Sequence, residues 1–285
     1  DMGYLFTFYN DVSALLEESD SDTWDRKYFI EERDGQLADY RWGRSCSSWY
    51  VDFAKEMFPT LIEEMGIQAS YIDCICGANL KECYSDEHPM DKRGDAANRI
   101  ELFKYLHDLG LIYGSEHLAW WAVPHVEYAN DVGMLPSSNA LLSLHPIPLF
   151  HLAFHDCVIP YCAPGDDYGA ASGWELSTKI LRDVLYGVPS MFFINLSDAE
   201  KWRPVIRDTH QAMYPVLKHT AFAEMTGHSR SADGKYQESF FGEDHIRVNF
   251  DIQERNGLPP RSYVAECDGK TIRAQFSTKT NVSVS

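Results

Sequence analysis

Positive charge is scarce in this sequence: 25 Lys and Arg stand against 43 Asp and Glu in 285 residues, a formal net charge of −18. That balance excludes nucleic acid as a partner, because binding a polyanion rests on cationic side chains that neutralise phosphates. A neutral substrate such as a sugar fits it. No run of about 18 apolar residues occurs, so no membrane span is predicted. The Gly-rich phosphate fingerprint of dinucleotide-binding sheets is missing as well. The opening residues Asp1-Met-Gly-Tyr-Leu-Phe-Thr-Phe8 have neither the basic start nor the small-residue cleavage site of a secretion signal.

Metal-ligand spacing is also wanting. The seven cysteines include Cys74-Ile-Cys76, which is not a zinc spacing, and no His pair at ligand spacing accompanies it. His88 and His117 stand isolated, so no metal and no other cofactor is predicted. The thiols read as small buried side chains, a usage that tilts toward a reducing, cytoplasmic compartment over a secreted one. Apolar residues, at 45%, and aromatics, at 13%, supply a substantial core.

What is present alternates. Short apolar runs near residues 4, 69, 111, 148 and 189 predict five strands, the fourth being Pro148–Asp156 and the fifth Pro189–Asn195. Between them, helical spacing predicts helices from Ser47 or Ser48 to Met65, stopped by Gly66 and kinked at Pro59, then over Ala96–Leu109, Trp174–Tyr186 and Ser197–Leu217. The segment from His117 through Tyr128 is expected to lead into a loop that runs to His145. Alternating strands and helices imply parallel strands with right-handed crossovers. The expected fold is α/β: a (β/α)8 TIM-type barrel over residues 1–232, with five of its eight strands counted. The abrupt, strand-like start favours a barrel lacking its first strands over a five-stranded doubly wound sheet. Residues 233–285 switch to a period of two, as in Tyr236–Phe241 and His245–Phe250, and predict a small antiparallel, sandwich-like region.

Ala69–Ile72 is a short buried strand that delivers Asp73 at its C-terminal end. Some forty residues on, Leu109-Gly-Leu-Ile-Tyr-Gly-Ser-Glu116 repeats the pattern and ends in Glu116. Barrel chemistry collects on the loops that follow strands, and two carboxylates flanking a glycosidic bond can cleave it. Neighbouring parallel strands sit about 4.8 Å apart, so residues capping them can reach the ~5–5.5 Å separation of a retaining pair. Trp120 and Trp121 follow Glu116 and could stack on the C–H face of a pyranose ring. His155 and Asp156 follow the Pro148 run, and Tyr161 adds to an aromatic mouth. Those five residues are the candidate substrate-binding set.

Three segments carry a resemblance: Tyr71-Ile-Asp73, Leu109–Glu116, and Phe150-His-Leu-Ala-Phe-His-Asp-Cys-Val-Ile-Pro-Tyr161. Together they resemble the barrel core of glycoside hydrolase family 129, which with its relative family 101 acts on α-linked N-acetylgalactosamine of mucin-type glycans. The likeness covers roughly residues 1–250 and is strongest between 67 and 162. It implies a retaining mechanism with Asp73 as nucleophile and Glu116 as acid/base. It also implies an oligosaccharide or glycoconjugate as partner.

Two rivals stay open on the residues alone. In one, an α-galactosidase-like hydrolase pairs Asp73 with Asp156. In the other, a truncated barrel binds carbohydrate without turnover. Absent barrel strands would leave an apolar sheet edge, to be covered by a missing N-terminal segment or by self-association.

Overall fold

In the computed structural model the described residues are 5–14, 25–38, 44–77, 79–130, 132, 147–161, 176–192, 194, 196–276 and 282–284. The chain forms two compact units, Asp1–Ala129 and Asn130–Ser285, a division the sequence pattern did not mark.

The first unit is built on parallel strands. β1 (Thr7–Asn10), β2 (Ala69–Ile72) and β3 (Ile112–Glu116) lie side by side, with Asn10 opposite Ile72 and Ile72 opposite Ser115. Two helices make the crossovers. α1 (Tyr50–Met65) continues a short turn of 3-10 helix at Ser47–Trp49 and stops at Gly66, which takes the left-handed conformation (φ 64°) that a side chain disfavours. It runs through Pro59 without interruption. α2 (Lys92–Asp108) starts where the Asp91 carboxylate accepts the Gly94 N–H at 2.7 Å. Ala54 and Phe58 of α1, Leu102, Phe103 and Leu106 of α2, and Ala69 and Ile72 of β2 are wholly buried. The Phe103 ring stacks on Tyr113 at 5.7 Å. At the sheet's edge Tyr9 of β1 and Phe6 just before it are 66% and 60% exposed.

β4 (Tyr128–Asn130) continues the strand order where a loop was expected. Its neighbour β3 admits it through Gly114: a Cβ there would lie 2.4 Å from Tyr128.

In the second unit the Pro148–Asp156 run is not a strand. Leu149–Phe154 forms a short helix, α3, and β5 (Ile159–Pro160) is the strand that follows it among the described residues. A short apolar run of this kind fits either period, and here the pair His151 and His155, four apart, lines one buried helical face. Nor does the Pro189 run form a strand among its described residues. Pro189 offers no N–H to a ladder, while Ser190 donates to Asp183 and Phe192 packs on Trp202.

The rest of this unit is one antiparallel meander. β6 (Met225–Arg230), β7 (Tyr236–Phe241), β8 (Asp244–Asn249), β9 (Ser262–Cys267), β10 (Lys270–Phe276) and β11 (Val282–Val284) pair in sequence order. Where a sandwich was expected, the covering layer is helical. α4 (Leu176–Tyr186) and α5 (Ala199–Thr220) pack Leu181, Val184, Leu185, Met213 and Val216 against Ile246, Val248, Tyr263 and Phe276. Among the described residues no helix is long and apolar enough to cross a membrane.

Candidate active site

Register decides where the two key acids fall. Because Ile72 stands opposite Ser115, the next residues, Asp73 and Glu116, leave neighbouring strands at the same end. A carboxylate oxygen of Asp73 lies within 4.8 Å of one of Glu116. Both side chains are half-buried.

Each acid is oriented by donors. The Tyr9 hydroxyl donates to Asp73 Oδ2 at 2.7 Å, and the Tyr71 hydroxyl to Oδ1 at 3.3 Å. Tyr9 and Tyr71 are register partners on β1 and β2, and their rings stack at 5.8 Å. Desolvation of the Tyr9 hydroxyl and the facing Asp73 charge push that phenol above its ordinary range, so it remains a donor. The Cys74 thiol donates to Glu116 Oε2 at 3.5 Å. Burial first, then the charges of Asp73 and Glu116, push Cys74 up to about 12. His117 Nε2 lies 3.8 Å from Glu116 Oε1.

The backbone around the acids is held under strain. Cys74 and His117, each directly after an acid, have φ of 61° and 54°. Side-chain-bearing residues seldom adopt that region, and such residues cluster at functional sites. The two loops are also tied to one another. Ser115 Oγ accepts the Cys76 N–H at 3.1 Å, and the Cys76 carbonyl accepts the Ala119 N–H at 3.2 Å. Gly77 is where they touch: a Cβ there would lie 2.5 Å from His117 Cβ and 2.9 Å from the Glu116 carbonyl oxygen. From behind, Arg99 on α2 donates to the Ile75 carbonyl at 2.9 Å.

Asp73, Cys74 and Glu116 are also close enough to surround an ion. Three X–H groups already point at the carboxylate oxygens an ion would take.

The other candidates divide between the two units. Trp120, 76% exposed, and the half-buried Trp121 sit in the turn after β3, in the same unit as the acids. His155 is a core residue of the second unit, 1% exposed, with Nδ1 2.8 Å from the Ala223 carbonyl and Nε2 3.3 Å from that of Gly187. Asp156 is exposed in the turn after α3, beside the Cys157 thiol. Tyr161 is half-buried and its carbonyl accepts the Val132 N–H. The sequence reading missed Tyr9, Cys74, Ser115 and Arg99. Only Tyr9 carried a signal, as the last aromatic of the first strand.

No protein-family profile matches this chain, and no curated protein matches it. Solved structures do match. The ligand-free α-N-acetylgalactosaminidase NagBb from Bifidobacterium bifidum aligns with 88% of this chain at 21% identity and a TM-score of 0.65. Its GalNAc complex aligns over 88% at 22% identity and 0.67, and its Gal-NHAc-DNJ complex over 99% at 21% and 0.64. The chain spans 41–42% of the length of those proteins. At this identity the likeness is one of fold: an α/β arrangement like that of a family 129 glycosidase over the matched part.

Proposed function

We propose that the chain carries the catalytic centre of a retaining glycoside hydrolase acting on α-linked sugars, with α-N-acetylgalactosaminides of mucin-type glycans as the substrate class. One observation carries the reading. Asp73 and Glu116 end adjacent parallel strands with one carboxylate oxygen of each within 4.8 Å of the other, which supports the ~5–5.5 Å pair of a retaining enzyme. The substrate class is supported by fold likeness to an enzyme whose structures include a GalNAc complex.

In this mechanism an Asp73 oxygen attacks the anomeric carbon while Glu116, as the acid, protonates the departing glycosidic oxygen. Tyr9 holds Oδ2, leaving the more weakly held Oδ1 to attack. Glu116, now a carboxylate, takes a proton from water; that water attacks the same carbon and Asp73 departs, so configuration is retained. Trp120, exposed in the turn that follows Glu116, offers an indole face to the sugar. The barrel itself, and any strands beyond those described, are part of this proposal. So is the assignment of residues 1–232 to catalysis. The Asp73–Asp156 alternative loses ground because Asp156 follows a helix and not a strand.

The test is hydrolysis of an aryl α-N-acetylgalactosaminide with a good leaving group. Asp73→Asn is expected to lower turnover on the order of 10⁴-fold or more. Glu116→Ala is expected to keep the glycosylation step and regain turnover with azide. Azide rescue of Asp156→Ala in place of Glu116→Ala would move the acid/base. GalNAc binding by the parent chain with no turnover would make this a carbohydrate-binding protein.

A further inference from the structure

A second cluster in the first unit is built from softer atoms. Cys46 comes from the connection between β1 and α1, and Cys83 and His88 from the connection between β2 and α2. The two sulfurs and one imidazole nitrogen all lie within 4.8 Å of one another, with Cys83 Sγ 3.3 Å from His88 Nδ1. Cys46 and Cys83 are buried, among Ile30, Ala38 and Met90.

The surroundings orient these groups as ligands. His88 Nε2 lies 2.6 Å from the Lys27 carbonyl oxygen. A carbonyl only accepts, so the ring proton sits on Nε2 and the Nδ1 lone pair faces Cys83. A metal-bound histidine is commonly fixed in this way, through its other nitrogen. The sulfurs collect donors in turn: the Glu31 N–H to Cys83 at 3.3 Å and the Ser48 hydroxyl to Cys46 at 3.1 Å. Hydrogen bonds of that kind stabilise bound thiolates.

We propose that Cys46, Cys83 and His88 bind a zinc ion that staples the β1–α1 loop to the β2–α2 loop. Zn–S bonds of about 2.3 Å and Zn–N bonds of about 2.0–2.1 Å in a tetrahedron set ligand atoms roughly 3.5–3.8 Å apart; Cys83 Sγ and His88 Nδ1 stand 3.3 Å apart, and the other pairs lie within 4.8 Å. Two thiolates with an imidazole suit zinc better than a hard cation. Met90 Sδ, 3.9 Å from Cys46 Sγ, is engaged by the Ser47 hydroxyl and the Asn98 amide, so the fourth ligand is a water. Binding is not a redox step; the thiol protons leave to solvent as the ion enters. Among their described residues these loops are held by single turns of 3-10 helix, by isolated bridges such as Phe29–Ser45, Glu31–Leu37 and Cys83–Met90, and by the Tyr84 N–H to the Glu31 carbonyl, so a staple adds to sparse regular structure. No zinc spacing marks the sequence because the ligands come from two different connections. This inference stands apart from the glycosidase reading, and its readouts do not involve activity.

The full chain, reduced and loaded with zinc alone, is desalted and assayed for metal, and its affinity is set by competition with a chromophoric chelator. Expected is about one zinc per chain, unchanged in Cys157→Ser, whose exposed thiol lies outside the cluster. Cys46→Ser and His88→Gln should weaken binding by more than the roughly 10–100-fold that loss of an outer partner produces. Cobalt(II) in place of zinc should give thiolate-to-metal charge-transfer absorption. Should Cys46→Ser fail to fold, the half-buried His88→Gln, checked by circular dichroism, decides alone. A reduced parent chain that takes up no zinc overturns the proposal. So do equal affinities in parent and His88→Gln, or a cobalt complex without the thiolate band. A Cys46–Cys83 disulfide in a chain that, once reduced, still refuses zinc does the same.

Discussion

In the first unit α2 buries Asp95 and Arg99, four residues apart; in the second, α4 buries Lys179 and Asp183 at the same spacing. The two pairs are used differently. Arg99 holds Asp95 through Nε and Nη2 and also donates to the carbonyls of Ile75 and Asn79, while Asp95 accepts the Lys81 N–H at 2.7 Å. That pair is the hub of the loop that follows Asp73. Lys179 instead donates to Asp183 at 2.5 Å, beside the Ser190 hydroxyl at 2.6 Å and the Arg182 guanidinium at 3.9 Å. Charge in the second unit is neutralised inside an apolar layer, whereas in the first it fixes irregular backbone near the acids. Identical spacing on a helix therefore says nothing about which job a buried pair does. The residues around it decide.

The sharpest way to break this contrast is to remove one cation from each pair. Arg99→Met strands Asp95 and the carbonyls of Ile75 and Asn79 and should lower stability by about 3–5 kcal/mol, with Asp95→Leu/Arg99→Met recovering the part owed to the stranded charge. Lys179→Met should do less harm, since Asp183 keeps Ser190 and Arg182. Urea unfolding measures both. A Lys179→Met loss equal to that of Arg99→Met would erase the distinction.

Acid separates the units next. His151 in α3 is buried against Tyr186 at 4.7 Å, with no hydrogen-bond partner on either ring nitrogen among the described residues. Burial, then the neighbouring His155 and Arg182, lower it from 6.5 to about 3. The folded value lies below the unfolded one, so the stabilisation is present above the unfolded value and is lost as pH falls toward the folded one. Between pH ~6.5 and ~4.5 the loss should be roughly 2–3 kcal/mol. His151→Phe, which keeps the ring stack, should flatten that slope. An unchanged pH dependence of melting in the variant would place the acid sensitivity elsewhere.

A methyl group tests the loop contact in the first unit. Gly77→Ala sets a Cβ 2.5 Å from that of His117 and should lower stability by about 1–3 kcal/mol. Turnover should drop with it as Glu116 shifts. The same change at Gly242, where a Cβ meets nothing within 4 Å but φ is 61°, should cost about 1 kcal/mol and leave turnover alone.

How much of this could be read in advance follows the same division. β2 and its Asp73 were legible, because a short buried strand between two amphipathic helices has few other readings. The hairpin strands β7 to β10 were legible through period-two alternation and turns such as Asp268-Gly269, whose paired positive φ values of 49° and 69° suit the twist of a tight hairpin. Pro148–Asp156 was not, since its apolar residues satisfy both periods and only the burial of His151 and His155 on one face chooses the helix. Ser115, Arg99 and the Cys46–Cys83–His88 cluster were illegible for another reason. Their partners are set by register and by loops meeting across dozens of residues, which local patterning does not encode.

The smallest effect tests whether the two units use their tyrosines as differently as their ion pairs. Tyr263 is wholly buried and its hydroxyl donates to the Ala212 carbonyl of α5, so Tyr263→Phe should lower stability by about 1 kcal/mol and leave kcat untouched. Tyr9 is exposed and its hydroxyl serves a carboxylate. Tyr9→Phe releases Oδ2 of Asp73, letting the carboxylate rotate and carry Oδ1 away from the anomeric carbon, so kcat should fall about 10-fold, the worth of one hydrogen bond to a charged group, with the melting temperature held. Tyr71→Phe, removing a 3.3 Å contact in place of a 2.7 Å one, should fall less. If Tyr9→Phe shifts melting but not kcat, then its phenol braces the sheet edge as Tyr263 braces the core, and Asp73 owes its orientation to the strained backbone at Cys74 instead.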